Sequence, residues 1–129
     1  MKLYLDADVF LALIKEKDRF KQKAEQFLTS RKKEELVTST ITCLEVWFYL
    51  YKYNLQSHAW NAIEAIEKLC TIQSCNQNDL KSAILLAQKH RLSPADAIHA
   101  TLAMNCDNIV STDKAFDKVS NLKRIDFGA

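Results

Sequence analysis

Glycine and proline are almost missing from this chain of 129 residues: Gly128 and Pro94 are the only ones. Tight hairpin turns and glycine-built phosphate loops both depend on glycine, so the composition argues against an all-β domain with many short turns and excludes a Walker- or Rossmann-type nucleotide site. Cys43, Cys70, Cys75 and Cys106 never form a CxxC pair, and the three histidines do not complete a zinc pattern. No apolar run reaches the roughly 20 residues of a membrane span, and Asp6 and Asp8 interrupt the first one, so nothing resembles a signal peptide. The expectation is a cytoplasmic protein with reduced thiols and no membrane contact. A large excess of one charge is lacking too: the formal net charge is +2, with a pI near 8.3, which neither demands nor forbids a polyanionic partner.

What is present is ordinary globular material, 48% apolar and 26% charged, enough for one domain over residues 1–129. Leu3 to Leu5 reads as a strand that runs straight into a helix at Val9 to Ile14. Arg19 to Lys33 is an amphipathic surface helix carrying Phe20, Ala24, Phe27 and Leu28. Leu36 to Ser39 is β-type, and Ile41 to Tyr53 is so continuously apolar and aromatic that a largely buried helix is expected, with Trp47, Phe48, Tyr49, Tyr51 and Tyr53 mainly in the core and any surplus on a dimer surface. Ser57 is the expected cap of a further helix, followed by a short strand at Thr71 to Ser74 and a helix over Asp79 to His90. Ser93-Pro94-Ala95-Asp96 is a sharp helix start: Ser at the cap, Pro at the first helical position, an acid at the third. That helix runs to about Asn105; Asn108 to Ser111 is a strand, Asp113 to Lys118 a helical turn, and Leu122 to Phe127 a last edge strand. The order βααβααβααβαβ predicts a three-layer α/β/α sandwich with a central, mostly parallel sheet of four or five strands, in which helical residues far outnumber strand residues.

In such sheets ligands bind beyond the carboxyl ends of the strands. Asp6 follows the first strand, Glu45 lies in the helix after the second, Asp113 and Asp117 follow the fourth, and Asp96 opens the helix leading into it. All five open toward one edge if the sheet is parallel, with no Arg or Lys fixed by the sequence beside Asp6, Glu45 or Asp96. Two carboxylates about 4 Å apart repel by several kcal/mol at an effective dielectric of about 20, so such a cluster persists only by protonation, by paired cations or by bound metal. Oxygen ligands with few histidines favour Mg²⁺ or Mn²⁺. A divalent ion so held polarises a phosphodiester and activates water, which points to phosphodiester hydrolysis.

Simpler roles compete at each position. Asp8 is read as the N-cap of the first helix, Asp96 as the acid of a capping box, and Asp113 and Asp117 as turn and surface residues. Glu45 resists such a reading, because the apolar segment TCLEVWFYLY leaves it few solvated faces and a buried glutamate needs a partner. His99, one turn after Asp96, projects to the same side of that helix, where a lone histidine is more often a packed or hydrogen-bonded residue and at most stands behind the cluster; Thr112 has a hydroxyl able to hold a metal-bound water or a carboxylate.

The segments LYLDADVFLAL, TCLEVW, LSPADAIHATLA and IVSTDKAFDKV resemble, in order and spacing, the acidic motifs of PIN domains, over nearly the whole chain. PIN domains are small α/β/α metal-dependent ribonucleases, many of them the VapC-like toxins of toxin–antitoxin pairs and others RNA-processing enzymes. The resemblance implies that Asp6, Glu45, Asp96 and Asp113 are catalytic acids and metal ligands, that Asp117 is an auxiliary ligand, and that the ions are one or two Mg²⁺ or Mn²⁺. It also implies RNA as substrate, a homodimer and an antitoxin partner. The family usually shows a small hydroxyl residue and then Asn or Ser after its first Asp; here Ala7 and Asp8 stand instead, which removes a hydroxyl and adds an acid.

Two other readings are weighed. Asp6-Ala7-Asp8 with Asp113 and Asp117 is similar to the motifs of haloacid-dehalogenase-type phosphatases, but Phe10 stands where a hydroxyl residue is expected and no glycine supports the turn. A non-catalytic module would bind RNA or protein, with the basic helix Lys21 to Lys33 as its contact.

Overall fold

The computed structural model describes all 129 residues. Strands β1 (Lys2–Leu5), β2 (Glu35–Ser39), β3 (Thr71–Gln73), β4 (Asn108–Val110) and β5 (Arg124–Ile125) alternate with helices α1 (Ala7–Ile14), α2 (Lys21–Ser30), α3 (Thr40–Lys52), α4 (Ala59–Leu69), α5 (Gln77–His90) and α6 (Pro94–Ala103). Single 3-10 turns at Gln56–His58 and Lys114–Lys118 complete the chain. The sheet order is β3-β2-β1-β4-β5 and every pairing is parallel, so the expected α/β class and element order are both found. Alternation along the strands splits the core. Leu3, Leu5, Leu36 and Val110 face the layer of α1, α2, α3 and α4; Tyr4, Val37 and Ile109 face α5 and α6.

The first crossovers carry the chain from β1 outward through β2 to β3, and the later ones place β4 and β5 on the other side of β1. The strand order therefore reverses between β1 and β4, where a crevice opens at the carboxyl ends. The backbone extends that pairing by one step, Asp6 N donating to Val110 O at 3.1 Å.

Several local expectations are corrected. Asp6, not Asp8, caps α1: its extended backbone lets its own carboxylate accept from Ala7 N, and Asp8 falls inside the first turn. Only Thr42, Val46 and Leu50 of α3 are buried. Their spacing of four makes one narrow stripe, so Trp47, Phe48, Tyr51 and Tyr53 project outward as exposed residues rather than entering the core; Tyr49 is half-buried. Ser57 lies in the 3-10 turn and caps nothing, α4 starting without a side-chain cap. Asn76 and Asp79 form a reciprocal capping box that starts α5 earlier than Asp79. Between β4 and Phe127 only Arg124 and Ile125 pair as strand. With glycine so scarce, Asn54 and Arg91 take the left-handed turn positions, at φ 59° and 55°. No helix is long and apolar enough to cross a membrane.

Candidate active site

Asp6 sits at the β1/β4 crevice and is almost fully buried. Its Oδ1 accepts from Ala7 N at 2.8 Å and its Oδ2 from the Ser111 hydroxyl at 2.8 Å. Both bonds are consequences of chain direction, the first from capping its own helix, the second from β4 ending beside β1. Asp8, two residues further, reaches the end of β4: its Oδ2 accepts from Thr112 N at 2.8 Å and Thr112 Oγ1 at 2.7 Å, with Ser111 Oγ at 3.3 Å. Its other oxygen, Oδ1, is buried without a hydrogen-bond partner. Asp113 N donates to Ser111 Oγ, and the Asp113 carboxylate caps the following 3-10 turn through Ala115 N.

On the opposite side of the crevice α3 and α6 present Glu45 and His99. His99 Nε2 is hydrogen-bonded to Glu45 Oε1 and lies 3.5 Å from Asp6 Oδ1. Its Nδ1 is 2.7 Å from the Tyr4 hydroxyl, which donates to Ser39 Oγ at 2.8 Å. A buried relay thus runs from the end of β2 through the middle of β1 to α6 and out to Glu45, whose side chain is 35% exposed. The sequence argument that Glu45 needs a partner is answered by His99. Asp96 holds the position expected of it, its amide donating to Ser93 Oγ at the start of α6.

Charge crowding marks these groups. Burial, and then the charge of Asp8, push the Asp6 carboxyl up to about 7, against the opposing pull of His99, Ser111 and Ala7 N. Burial raises Asp8 as well, with Asp113 adding to it, and raises Asp96, again with Asp113 and also Glu45 contributing. For His99, burial alone acts downward, but the hydrogen bond to Glu45 and the charges of Asp6, Glu45 and Asp96 outweigh it and the net shift is upward. The two ring nitrogens of His99 are thus both occupied, one by the Tyr4 hydroxyl and the other by Glu45. No lysine or arginine forms an ion pair with Asp6, Asp8, Glu45, Asp96 or Asp113.

Asp117 does not join them. Arg124 grips its carboxylate with two bonds, at 2.9 and 3.0 Å, on the exposed side of the 3-10 turn, and this pairing holds its pKa below the usual range. No sequence motif marks Ser111 or Tyr4 as part of the site. Ser111 is fully buried and bridges Asp6, Asp8 and the Asp113 amide. The available signals were a hydroxyl closing the apolar run NIVS and a tyrosine among the inward residues of a strand, both of which need partners once buried.

The sequence matches the family model of the PIN domain over residues 3–122. The chain belongs to the PIN domain family. No curated protein shows significant similarity to it individually. Among solved structures, this PIN domain is similar to VapBC2 from Rickettsia felis bound to a DNA fragment from their promoter, with TM-score 0.78 and 14% identity over 97% of this chain and 98% of that one. It is also similar to VapBC-1 from nontypeable Haemophilus influenzae, with TM-score 0.76 and 20% identity over 100% of both chains. Mycobacterium tuberculosis VapC20, a sarcin-ricin loop cleaving toxin, gives TM-score 0.78 and 16% identity over 89% of this chain and 92% of that one. At such identities the likeness is one of fold. The match to this family leaves the phosphatase reading without support.

The donor set of the PIN-domain cluster suits a hard divalent cation: carboxylate oxygens, one of them buried and unpartnered at Asp8, with His99 the one basic side chain among them. In this side-chain arrangement no three of the acids close on one ion-sized point. Each of three acids is held instead by donors of the chain itself: Asp6 by Ala7 and Ser111, Glu45 by His99, Asp113 by Ala115.

Proposed function

We propose that this PIN domain is a divalent-metal-dependent endoribonuclease, acting as the toxin of a toxin–antitoxin pair or as an RNA-processing nuclease. The observation that carries the reading is the crowd of carboxylates at the β1/β4 switch point, without lysine or arginine partners, with Asp6, Asp8 and Asp96 raised in pKa and a buried orphan oxygen on Asp8. Asp6, Glu45, Asp96 and Asp113 would hold one or two Mg²⁺ or Mn²⁺ ions. When bound, the ions supply Lewis-acid polarisation of an RNA phosphodiester and an activated water. The chain's own part is orientation. Ala7 N and Ser111 lock Asp6, Thr112 clamps Asp8 beside it, and the Tyr4–His99 pair aims Glu45 into the crevice.

The similar structures of VapBC complexes support an antitoxin partner, and a homodimer belongs to the same reading. Two unpartnered surfaces are available for these contacts: Leu80, Ile84 and Leu85 on α5, and Trp47 with Trp60 between α3 and α4. A non-catalytic RNA- or protein-binding module is the second reading, favoured by the acids being held by the chain's own donors rather than gathered on one point. Cleavage of a fluorescently labelled, mixed-sequence single-stranded RNA decides between them, run with Mg²⁺, Mn²⁺ or excess chelator beside Asp6→Asn and Asp96→Asn. Metal-dependent cutting that both substitutions remove is the expected result; a folded protein that neither cuts nor binds divalent ions by calorimetry is the binding module.

A further inference from the structure

We infer that the groove between α1 and α3 is a nucleotide-binding subsite, receiving the RNA strand where it leaves the carboxylate cluster; the inference rests on the ribonuclease reading. Glu45, Phe48, Tyr49, Lys52 and Tyr53 recur at intervals of three and four, so they form a single stripe that runs about 12 Å along α3 from the cluster outward. Lys15, at the end of α1, faces this stripe across a groove of about 520 Å³. Glu45 belongs to the groove wall and to the His99 relay alike, so the groove is continuous with the candidate active site.

The groove has the chemistry of a single-stranded nucleic acid seat. Lys15 Nζ stands 5.3 Å from the Tyr49 ring centroid and Lys52 Nζ 5.7 Å from that of Tyr53, while the two tyrosine rings are 4.7 Å apart. Neither lysine is in an ion pair, so both charges are free for phosphates. Phe48 is 64% exposed and its ring packs on no other aromatic ring or cation, which leaves it for an unpaired base to stack on. The neighbouring groove at Trp47 and Trp60 is equally aromatic but carries Glu64 and Glu67 and no lysine, a setting that repels a polyanion. Charge therefore assigns the strand to the α1/α3 groove.

The test is fluorescence anisotropy with a short labelled single-stranded RNA made uncleavable by 2′-O-methylation, in Mg²⁺, across a salt series, with cleavage of the unmodified RNA followed in parallel. Phe48→Ala should weaken binding about tenfold by loss of stacking. Lys15→Gln and Lys52→Gln should each reduce the slope of log affinity against log salt by about 0.7, and Lys68→Gln on α4 should leave both quantities near wild type. No binding by the wild-type protein, or binding indifferent to all three groove variants, overturns the subsite. So does a Phe48→Ala protein that binds the oligonucleotide normally but loses a dimer in sedimentation, which makes the groove a contact between copies. Binding that needs Phe48 and the lysines, without cleavage in any metal, keeps the subsite and rejects the nuclease. Cleavage whose KM ignores Phe48→Ala does the reverse.

Discussion

Asp6 and Asp117 are the same residue type at the same edge of one sheet, and their surroundings push them in opposite directions. Asp117 has an arginine seven positions away that takes both of its oxygens at the surface, and its carboxyl falls below the usual range. Asp6 is buried among other acids with one histidine beside it, and its carboxyl rises to about 7. The first arrangement is complete in itself. The second is held in place by backbone geometry at a cost in electrostatic energy, which is in keeping with the proposed cation site.

Removing Asp6 should break the comparison most severely. Asp6→Asn keeps the oxygen that caps α1 while deleting the charge, so RNA cleavage is expected to fall by more than about a hundredfold, since even supporting partners of metal ligands are worth 10–100-fold. In chelator the same variant should be more stable to urea than wild type, by roughly 1–3 kcal/mol. Loss of activity together with loss of stability would mean that Asp6 serves the fold and not a site.

Asp6, Asp8 and Asp96 have raised pKa values, so the folded protein retains protons that the unfolded chain has already released, and stability must fall as pH rises, for Asp6 between about 4 and 7. His99 acts in the same direction: its upward shift contributes stability that is fully present below about 6.5 and is lost as pH rises through the folded pKa. Melting temperatures in chelator should therefore decline from pH 5 to pH 8, and saturating Mg²⁺ should flatten the decline. A curve that rises with pH would contradict the crowding.

Smaller effects separate the relay from the cluster. Tyr4→Phe deletes the hydroxyl between Ser39 and His99, at about 1 kcal/mol of stability, and should lower kcat by roughly tenfold through a looser Glu45 while KM holds. A KM change with constant kcat would instead place Tyr4 in substrate binding. Asp117→Asn sits at the other end of the scale. Cleavage and melting temperature should stay near wild type, because Asn keeps an oxygen for Arg124 and Asp117 itself is exposed; a large loss of cleavage would restore Asp117 to the proposed metal site.

The parts of the fold that local chemistry decides were legible. Ser93-Pro94-Ala95-Asp96 starts α6 as expected because Ser, Pro and an acid satisfy the first turn from within four residues. The alternation of short apolar runs with helical periods led directly to a parallel sheet, since parallel strands need crossovers. The aromatic run of α3 misled, because apolar composition does not say how wide a stripe the core will accept; only three residues of the helix are buried, Cys43 and Tyr49 are half-buried at the margin of the core, and Trp47, Phe48, Tyr51 and Tyr53 form outer surfaces. Asp8 misled for a related reason. Cap preference is shared by Asp6 and Asp8, and the choice between them falls to the point where β1 leaves the sheet.

By itself, then, the sequence determined the class of fold, the acids at the strand ends and the family, because periodicity, capping and motif spacing act over a few residues. Which acids share one crevice was decided only by tertiary structure. Ser111 lies 105 positions from Asp6, and His99 lies 54 from Glu45 and 95 from Tyr4, and those contacts exist because the crossover to β4 brings it beside β1. The same packing gave Asp117 to Arg124 and left Asp8 with an oxygen that nothing in the chain satisfies.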